Sequence, residues 1–243
     1  MSKKVINQNT NYHMELLCSI ESNFIFNETA INRLKSINTS PNEHYVDKNK
    51  NKKKELNELK EQINSIEDCS LKDSSKKIVL GDGNIHSPIM LIGEAPSSED
   101  EKTGLTFTGE SGNLLKKMLI AINIKKEKIY STYAINFRPP EDRKPTSAEI
   151  KRYSVFLQSH ISIIQPKIII LMGSTAMQSL TGLNSKISLE RGKWKDVIVK
   201  NTNYKIIITF NPSYLLRVPE NKKHSWEDLK KIKQKIKDLD LNI

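Results

Sequence analysis

Three short segments carry polar side chains directly after apolar runs, and these are the places where the sequence could do chemistry. They are Gly93-Glu94-Ala95-Pro96, Asn136-Phe137-Arg138-Pro139-Pro140 and Asn211-Pro212-Ser213-Tyr214. A carboxylate such as Glu94 can take up a proton or stabilise a developing positive charge. A side-chain amide such as Asn136 offers a donor and an acceptor side by side. The segments together predict one site that combines a carboxylate with amide groups.

The elements that must position these segments are strands. PIMLIG, KIYSTYAIN and KIIITF lead into the three segments, and KIIILMG is a fourth strand candidate. Continuous apolar runs are typical of strands buried on both faces of a parallel sheet. Helical patterns lie between them, so we expect an α/β fold, a three-layer α/β/α sandwich with a central four-stranded, mostly parallel sheet. Ligands bind at the carboxyl ends of such strands, which places the three segments at one edge.

The chain divides at a polar, charged stretch over residues 45–60. It separates a helical apolar pattern at residues 14–34 from everything that follows and runs into a helix. We therefore predict an N-terminal helical extension and charged linker over residues 1–60 and one domain over residues 61–243. Within the domain, a capping box at Thr146 and Glu149 starts a helix that ends before Pro166.

The charge balance favours a nucleic-acid partner. Lys and Arg number 39 against 28 Asp and Glu, a net charge of +11, which attracts phosphate backbones. A biased genome would give the same composition, so the charge alone leaves that alternative open. No apolar run is long enough to span a bilayer and the start lacks a secretory signal, so we expect a cytoplasmic monomer with no membrane partner. Only Cys18 and Cys69 are present, and no histidines are paired, so no metal site is predicted.

Longer blocks around the three segments resemble the uracil-DNA glycosylase superfamily. They are GEAPSSEDEKTGLTFTGESGNLL, RPPEDRKPTSAEI, LERGKW and NPSYLLRVPENKKHSWEDL, in that order. The resemblance covers about residues 69–229 and is greatest to family 4 and its cluster-less bacterial relatives. It implies a DNA repair enzyme that hydrolyses the N-glycosidic bond of uracil, or a related deaminated base, flipped out of DNA. The alternative is a non-catalytic DNA-binding module with a degenerate pocket.

The resemblance implies three catalytic residues. Glu94 would stabilise the sugar cation or activate water, and Asp100 is a second candidate for water activation. Asp100 is equally well explained as a solvated member of the acidic run Glu99-Asp100-Glu101. Asn211 stands where family 4 has a histidine that bonds uracil O2. An amide can also donate to O2 but lacks the properties of an imidazole, so we expect slow turnover or altered specificity.

Base binding is implied for Ala95, Phe107 and Asn136. Phe107 would stack on the extruded base, or else be a core residue. Asn136 would read the N3–H and O4 edge of uracil. Ser97 replaces a glycine that is usual after the GEAP turn, which affects how closely that loop approaches the base.

Contacts with DNA are implied for residues beside the same loops, since phosphate contacts position a protein on its duplex. They are Arg138, Arg143, Lys144, Ser213, Leu215 and Arg217. Leu215 and Leu216 would wedge into the base stack, or else pack in the core.

The resemblance also raises the question of a cofactor, because cluster-bearing members of family 4 hold an iron–sulfur cluster with four cysteines. Here only Cys69 remains, and the other positions hold Ile66, Phe137 and Tyr153. We therefore predict that the cluster is absent and that no other cofactor is bound.

Overall fold

The structure is a computed structural model that describes residues 48–241. The helical pattern predicted at residues 14–34 lies outside the described residues. The charged stretch runs, as predicted, into a helix, α1 (Lys48–Asn64). Leu59 and Ile63 of this helix are buried in the domain. The helix continues past residue 60, where the sequence analysis placed the boundary between extension and domain. That boundary stays a prediction.

The sheet of the described residues has six strands in the order β1-β3-β2-β4-β6-β5. The strands are β1 (Gly81–Gly83), β2 (Ile89–Gly93), β3 (Tyr130–Tyr133), β4 (Ile168–Met172), β5 (Trp194–Val199) and β6 (Thr202–Thr209). The inner four are the predicted strands and are parallel, whereas β1 and β5 pair antiparallel at the two edges.

The strand count of four was wrong because it rested on runs buried on both faces. β1 is only Gly-Asp-Gly and has no apolar pattern. β5 is mostly half-buried and exposed, and it carries Lys195 and Asp196, as suits an edge strand that must not pair further.

Helices cover both faces of the sheet, so the predicted three-layer α/β/α architecture is confirmed. They are α1, α2 (Ser70–Ser74), α3 (Ser98–Thr103), α4 (Gly109–Ala121), α5 (Ser147–Ile164), α6 (Ser174–Thr181), α7 (Ile187–Glu190), α8 (Pro212–Arg217) and α9 (Lys222–Asp238). In β2, Ile89 and Leu91 join the core under α4, α8 and α9, while Met90 and Ile92 join the core under α5 and α6. Successive strand side chains point to opposite faces, which is why an uninterrupted apolar run is needed here.

Local sequence signals set the ends of the helices that flank the site. Thr146 and Glu149 form the predicted capping box at the start of α5, and Ser97 and Asp100 form a second one at α3. Gly182, with φ 70°, ends α6 in the left-handed conformation that glycine adopts without strain. Within residues 48–241, no helix is long and apolar enough to cross a membrane.

Candidate active site

A cavity of about 700 Å³ opens at the carboxyl ends of the inner strands. Its walls come from the segments that follow β2, β3, β4 and β6. Residues on these walls include Glu94, Ala95, Ser97, Asp100, Phe107, Tyr133, Arg143, Lys144, Thr175, Asn211, Ser213 and Arg217. The cavity therefore lies at the edge where a parallel sheet presents its ligands.

The Glu94 carboxylate is held between two segments of the wall. Its Oε1 accepts the Thr175 backbone N–H at 2.9 Å, near the start of α6, and its Oε2 accepts Asn211 Nδ2 at 3.2 Å. Gly173 lies against it with φ 103°, and a Cβ there would stand 2.5 Å from the Glu94 carboxyl carbon. Oε2 has this one protein donor, which leaves it able to accept a second hydrogen bond from a ligand or a water.

The Asn211 amide is oriented by the helix that it caps. Its Oδ1 accepts the Ser213 backbone N–H at 3.1 Å, which is the N-cap bond of α8. Nδ2 is thereby turned toward Glu94. An amide nitrogen carries two hydrogens. Among the described residues the second hydrogen has no acceptor, so it can donate to a ligand in the cavity.

Asp100 is surrounded by donors and organises the loop. Its Oδ1 accepts the backbone N–H and hydroxyl of Thr108 at 2.7 and 2.6 Å. Its Oδ2 accepts the backbone N–H and hydroxyl of Ser97 at 2.8 and 2.7 Å, and the Tyr133 hydroxyl at 2.9 Å. Five donors exceed the roughly four lone-pair positions of a carboxylate. Asp100 is also only 2% exposed, so it is not a solvated surface residue.

Water activation by Asp100 is therefore not supported by this geometry, because every lone pair is already used. The same network explains how the loop accommodates Ser97 in place of the usual glycine. Its φ is −86°, so the backbone has no need of a glycine there, and its side chain bonds Asp100 instead.

Phe107 is held at the cavity wall in an uncommon conformation. It is 4% exposed and has φ 51°, and its carbonyl oxygen lies so close to Gly112 that no Cβ could stand there. The Tyr133 ring lies against it, with ring centroids 5.0 Å apart. Phe107 thus belongs to the core and also lines the cavity, as Ala95 does.

Asn136 is not on the cavity wall. It is 4% exposed, and its Nδ2 donates to the backbone oxygens of Val79 and Leu80 at 3.1 and 3.3 Å. This placement does not support the prediction that Asn136 reads the base. The aromatic residue Tyr133 lies there instead, at the last position of β3.

The alternation of side chains along β3 is the signal that could have found Tyr133. The strand pairing continues beyond it, since Ala134 N–H donates to the Gly93 oxygen and Ile135 N–H to the Glu94 oxygen. Tyr133 lies on the face of the sheet that carries the Phe107 core, whereas Asn136, three residues further on, is buried against the backbone of Val79 and Leu80.

Two of the basic residues predicted to bind DNA are occupied within the protein. Arg138 pairs with Asp142 at 2.7 Å, and Arg143 pairs with Glu149 at 2.6 Å. The Arg143 guanidinium, followed by backbone bonding at Thr146, lowers the pKa of Glu149 to about 2. The pair therefore stays charged at any ordinary pH.

Lys144 and Arg217 also line the cavity, and neither takes part in an ion pair among the described residues. Their charges are thus available to a ligand. Leu215 is 1% exposed and belongs to the core, whereas Leu216 is 38% exposed. Of the two leucines considered as wedges, only Leu216 reaches the surface.

The four positions compared with cluster ligands do meet in space. Ile66, Cys69, Phe137 and Tyr153 share one apolar cluster, in which Cys69 Sγ lies 3.3 Å from the Tyr153 hydroxyl. Burial, followed by the bond to Cys69, raises the pKa of Tyr153 well above its usual range. One thiol and three carbon-rich side chains do not fit an iron–sulfur cluster, which needs several thiolates. Within residues 48–241, no group of three His, Cys, Asp or Glu side chains could hold a metal ion.

A family profile and several similar proteins point to the uracil DNA glycosylase superfamily. A profile of the uracil DNA glycosylase superfamily matches residues 80–230. The Type-4 uracil-DNA glycosylase of Thermotoga maritima is 35% identical, over 76% of this chain and 97% of that protein. Type-4 uracil-DNA glycosylases of Archaeoglobus fulgidus and Sulfurisphaera tokodaii are 30% and 34% identical, over 73% and 74% of this chain and 91% and 84% of their own lengths.

Proposed function

The chain belongs to the uracil DNA glycosylase superfamily, and on this premise we propose that it is a DNA repair hydrolase that releases uracil, or a related deaminated base, from DNA. The observation that carries the proposal is the Glu94 carboxylate at the cavity, with Oε1 held by Thr175 N–H and Oε2 by Asn211. A base cannot react while stacked in DNA, so the nucleotide must swing out into such a cavity.

The expected reaction breaks the C1′–N1 bond and adds water at C1′. Glu94 stabilises the positive charge that develops on the sugar and takes a proton from the attacking water. The unoccupied Asn211 hydrogen donates to uracil O2, where negative charge collects as the base leaves. Phe107 lies on the cavity wall with the Tyr133 ring packed against it. The chemistry thus needs only groups that the chain itself supplies.

The direct test is release of free uracil from a labelled oligonucleotide under saturating enzyme in a single turnover. We expect release from DNA that contains uracil and none from the same sequence with thymine. DNA binding without any release would favour the alternative of a non-catalytic binding module. The monomeric state and the cytoplasmic location stay predictions.

Replacing Asn211 by serine should slow uracil release about a hundredfold. Serine caps a helix about as well as asparagine, so α8 should keep its start, while the amide hydrogens that face Glu94 and the base are lost. Single-turnover rates and the melting temperature measure the two effects separately. Asn203→Ser, at an exposed position of β6, is the matched control and should change neither. An unchanged rate in Asn211→Ser would remove this amide from the mechanism.

DNA affinity should depend on Lys144 and Arg217 more than on Arg143. Each unpaired cation that contacts a phosphate displaces counterions, so Lys144→Gln and Arg217→Gln should each lower the salt slope of binding by about one. Arg143→Gln should lower it less, because its guanidinium is already paired with Glu149. Binding isotherms at several salt concentrations give the slopes. Equal slopes in all three variants and the wild type would contradict this assignment of phosphate contacts.

A further inference from the structure

The Tyr133 side chain packs against Phe107 at the cavity wall and bonds to its backbone. Its ring lies against Phe107 with the planes tilted by 40°. Its hydroxyl oxygen accepts the Phe107 backbone N–H at 2.8 Å, and the hydroxyl donates to Asp100 Oδ2 at 2.9 Å. A pyrimidine would offer the same features to this wall, since it is a flat six-membered ring with a carbonyl oxygen at its edge.

Tyr133 is fixed in this place by its neighbours. It is 4% exposed, and a Cβ on Gly93 would stand 2.7 Å from its ring, so the glycine is what allows the ring to lie there. Burial, followed by the Asp100 charge, raises the pKa of Tyr133 well above its usual range. The hydroxyl therefore stays protonated and keeps donating to Asp100.

We propose that Tyr133 is the specificity-determining residue of this pocket, because its ring fills the slot in which a flipped-out pyrimidine would stack on Phe107. The inference rests on the proposed function. The Tyr133 ring occupies this slot. A base that enters the cavity therefore cannot stack on Phe107, and it cannot accept a hydrogen bond from the Phe107 backbone N–H, which already donates to Tyr133. Recognition then depends on the sugar and phosphates and on Glu94 and Asn211, which also line the cavity.

The measurable consequence is the base gain, which we define as the ratio of two dissociation constants. One is for an oligonucleotide with a tetrahydrofuran abasic analogue, and the other is for the same oligonucleotide with 2′-fluoro-2′-deoxyuridine. The fluorine destabilises the sugar cation, so this base is bound without being released. We expect a base gain near one in the wild type. In Tyr133→Ala the slot is open, and a newly stacked base should raise the base gain by about tenfold.

Two control variants separate the opening of the slot from the general effects of losing a tyrosine side chain. Tyr130→Ala removes a buried tyrosine from the same strand, where its ring packs with the core on the other face of the sheet. It should cost similar stability and leave the base gain near one. Tyr133→Phe keeps the ring but frees Phe107 N–H and Asp100, so it too should leave the base gain near one. Melting temperatures fix a binding temperature at which every variant is folded.

Two results would overturn the proposal. One is a base gain of ten or more in the wild type. This measurement needs no variant, so it tests the proposal even if Tyr133→Ala fails to fold. The other is a base gain in Tyr133→Ala no larger than in Tyr130→Ala. Because binding is read without turnover, the proposed function is judged separately. A wild type that releases no uracil but shows the expected base gains would refute the glycosylase and leave the filled slot standing, whereas binding to neither oligonucleotide would refute both.

Discussion

Glu94→Gln should lower the single-turnover rate of uracil release about a thousandfold, within the range typical of a lost acid–base group. Glutamine has the same shape, but its one carbonyl oxygen can accept either the Thr175 N–H or an Asn211 N–H, so one of these donors loses its acceptor. Glutamine carries no negative charge to stabilise the sugar cation, and it cannot take a proton from water. The rate is measured with enzyme in excess over labelled DNA, so that binding does not limit it.

The control for this change is Glu99→Gln, which neutralises an exposed glutamate of the neighbouring helix α3. Its rate should equal that of the wild type, and both variants should bind DNA with unchanged affinity. If Glu94→Gln kept most of the rate, the carboxylate would not be the catalytic group and the proposed mechanism would fall.

Asp100→Ala should lower the free energy of unfolding by about 3 kcal/mol, because buried donors are left without an acceptor. The Ser97, Thr108 and Tyr133 groups that bond Asp100 all lose their partner at once. The hydroxyls of Ser97 and Thr108 can rotate to other acceptors, but the backbone N–H groups of these two residues cannot. Urea unfolding of the wild type and the variant gives the difference directly.

Glu99→Ala is the comparison here, since Glu99 is an exposed residue of the same short helix, α3. Its unfolding free energy should stay within about 0.5 kcal/mol of the wild type. A similarly small loss in Asp100→Ala would mean that the five donors find water instead, and Asp100 would again be free to act on a ligand.

Local patterns in the sequence determined the layers of the fold and the edge of the sheet that carries the cavity. β2 and β4 are buried on both faces along their whole length, so each is an unbroken apolar run that needs no tertiary information to be recognised. The capping box at Thr146 and Glu149 likewise acts within a single turn of chain. Glu94 and Asn211 were found because each directly follows such a run.

Only the tertiary structure decided which polar side chains are hydrogen-bonded within the protein and which groups are their partners. Asp100 looks like one of three acidic neighbours until Ser97, Thr108 and Tyr133 are brought around it from separate elements. Asn136 and Tyr133 lie three residues apart at the end of β3. The ring of Tyr133 packs with the Phe107 core, whereas the amide of Asn136 donates to the backbone of residues 79 and 80. The sequence did not predict the edge strands β1 and β5 either, because a strand that pairs on one side only does not require an apolar run. Short-range patterns therefore gave the elements, while the partners of each side chain, which come from distant parts of the chain, gave the site.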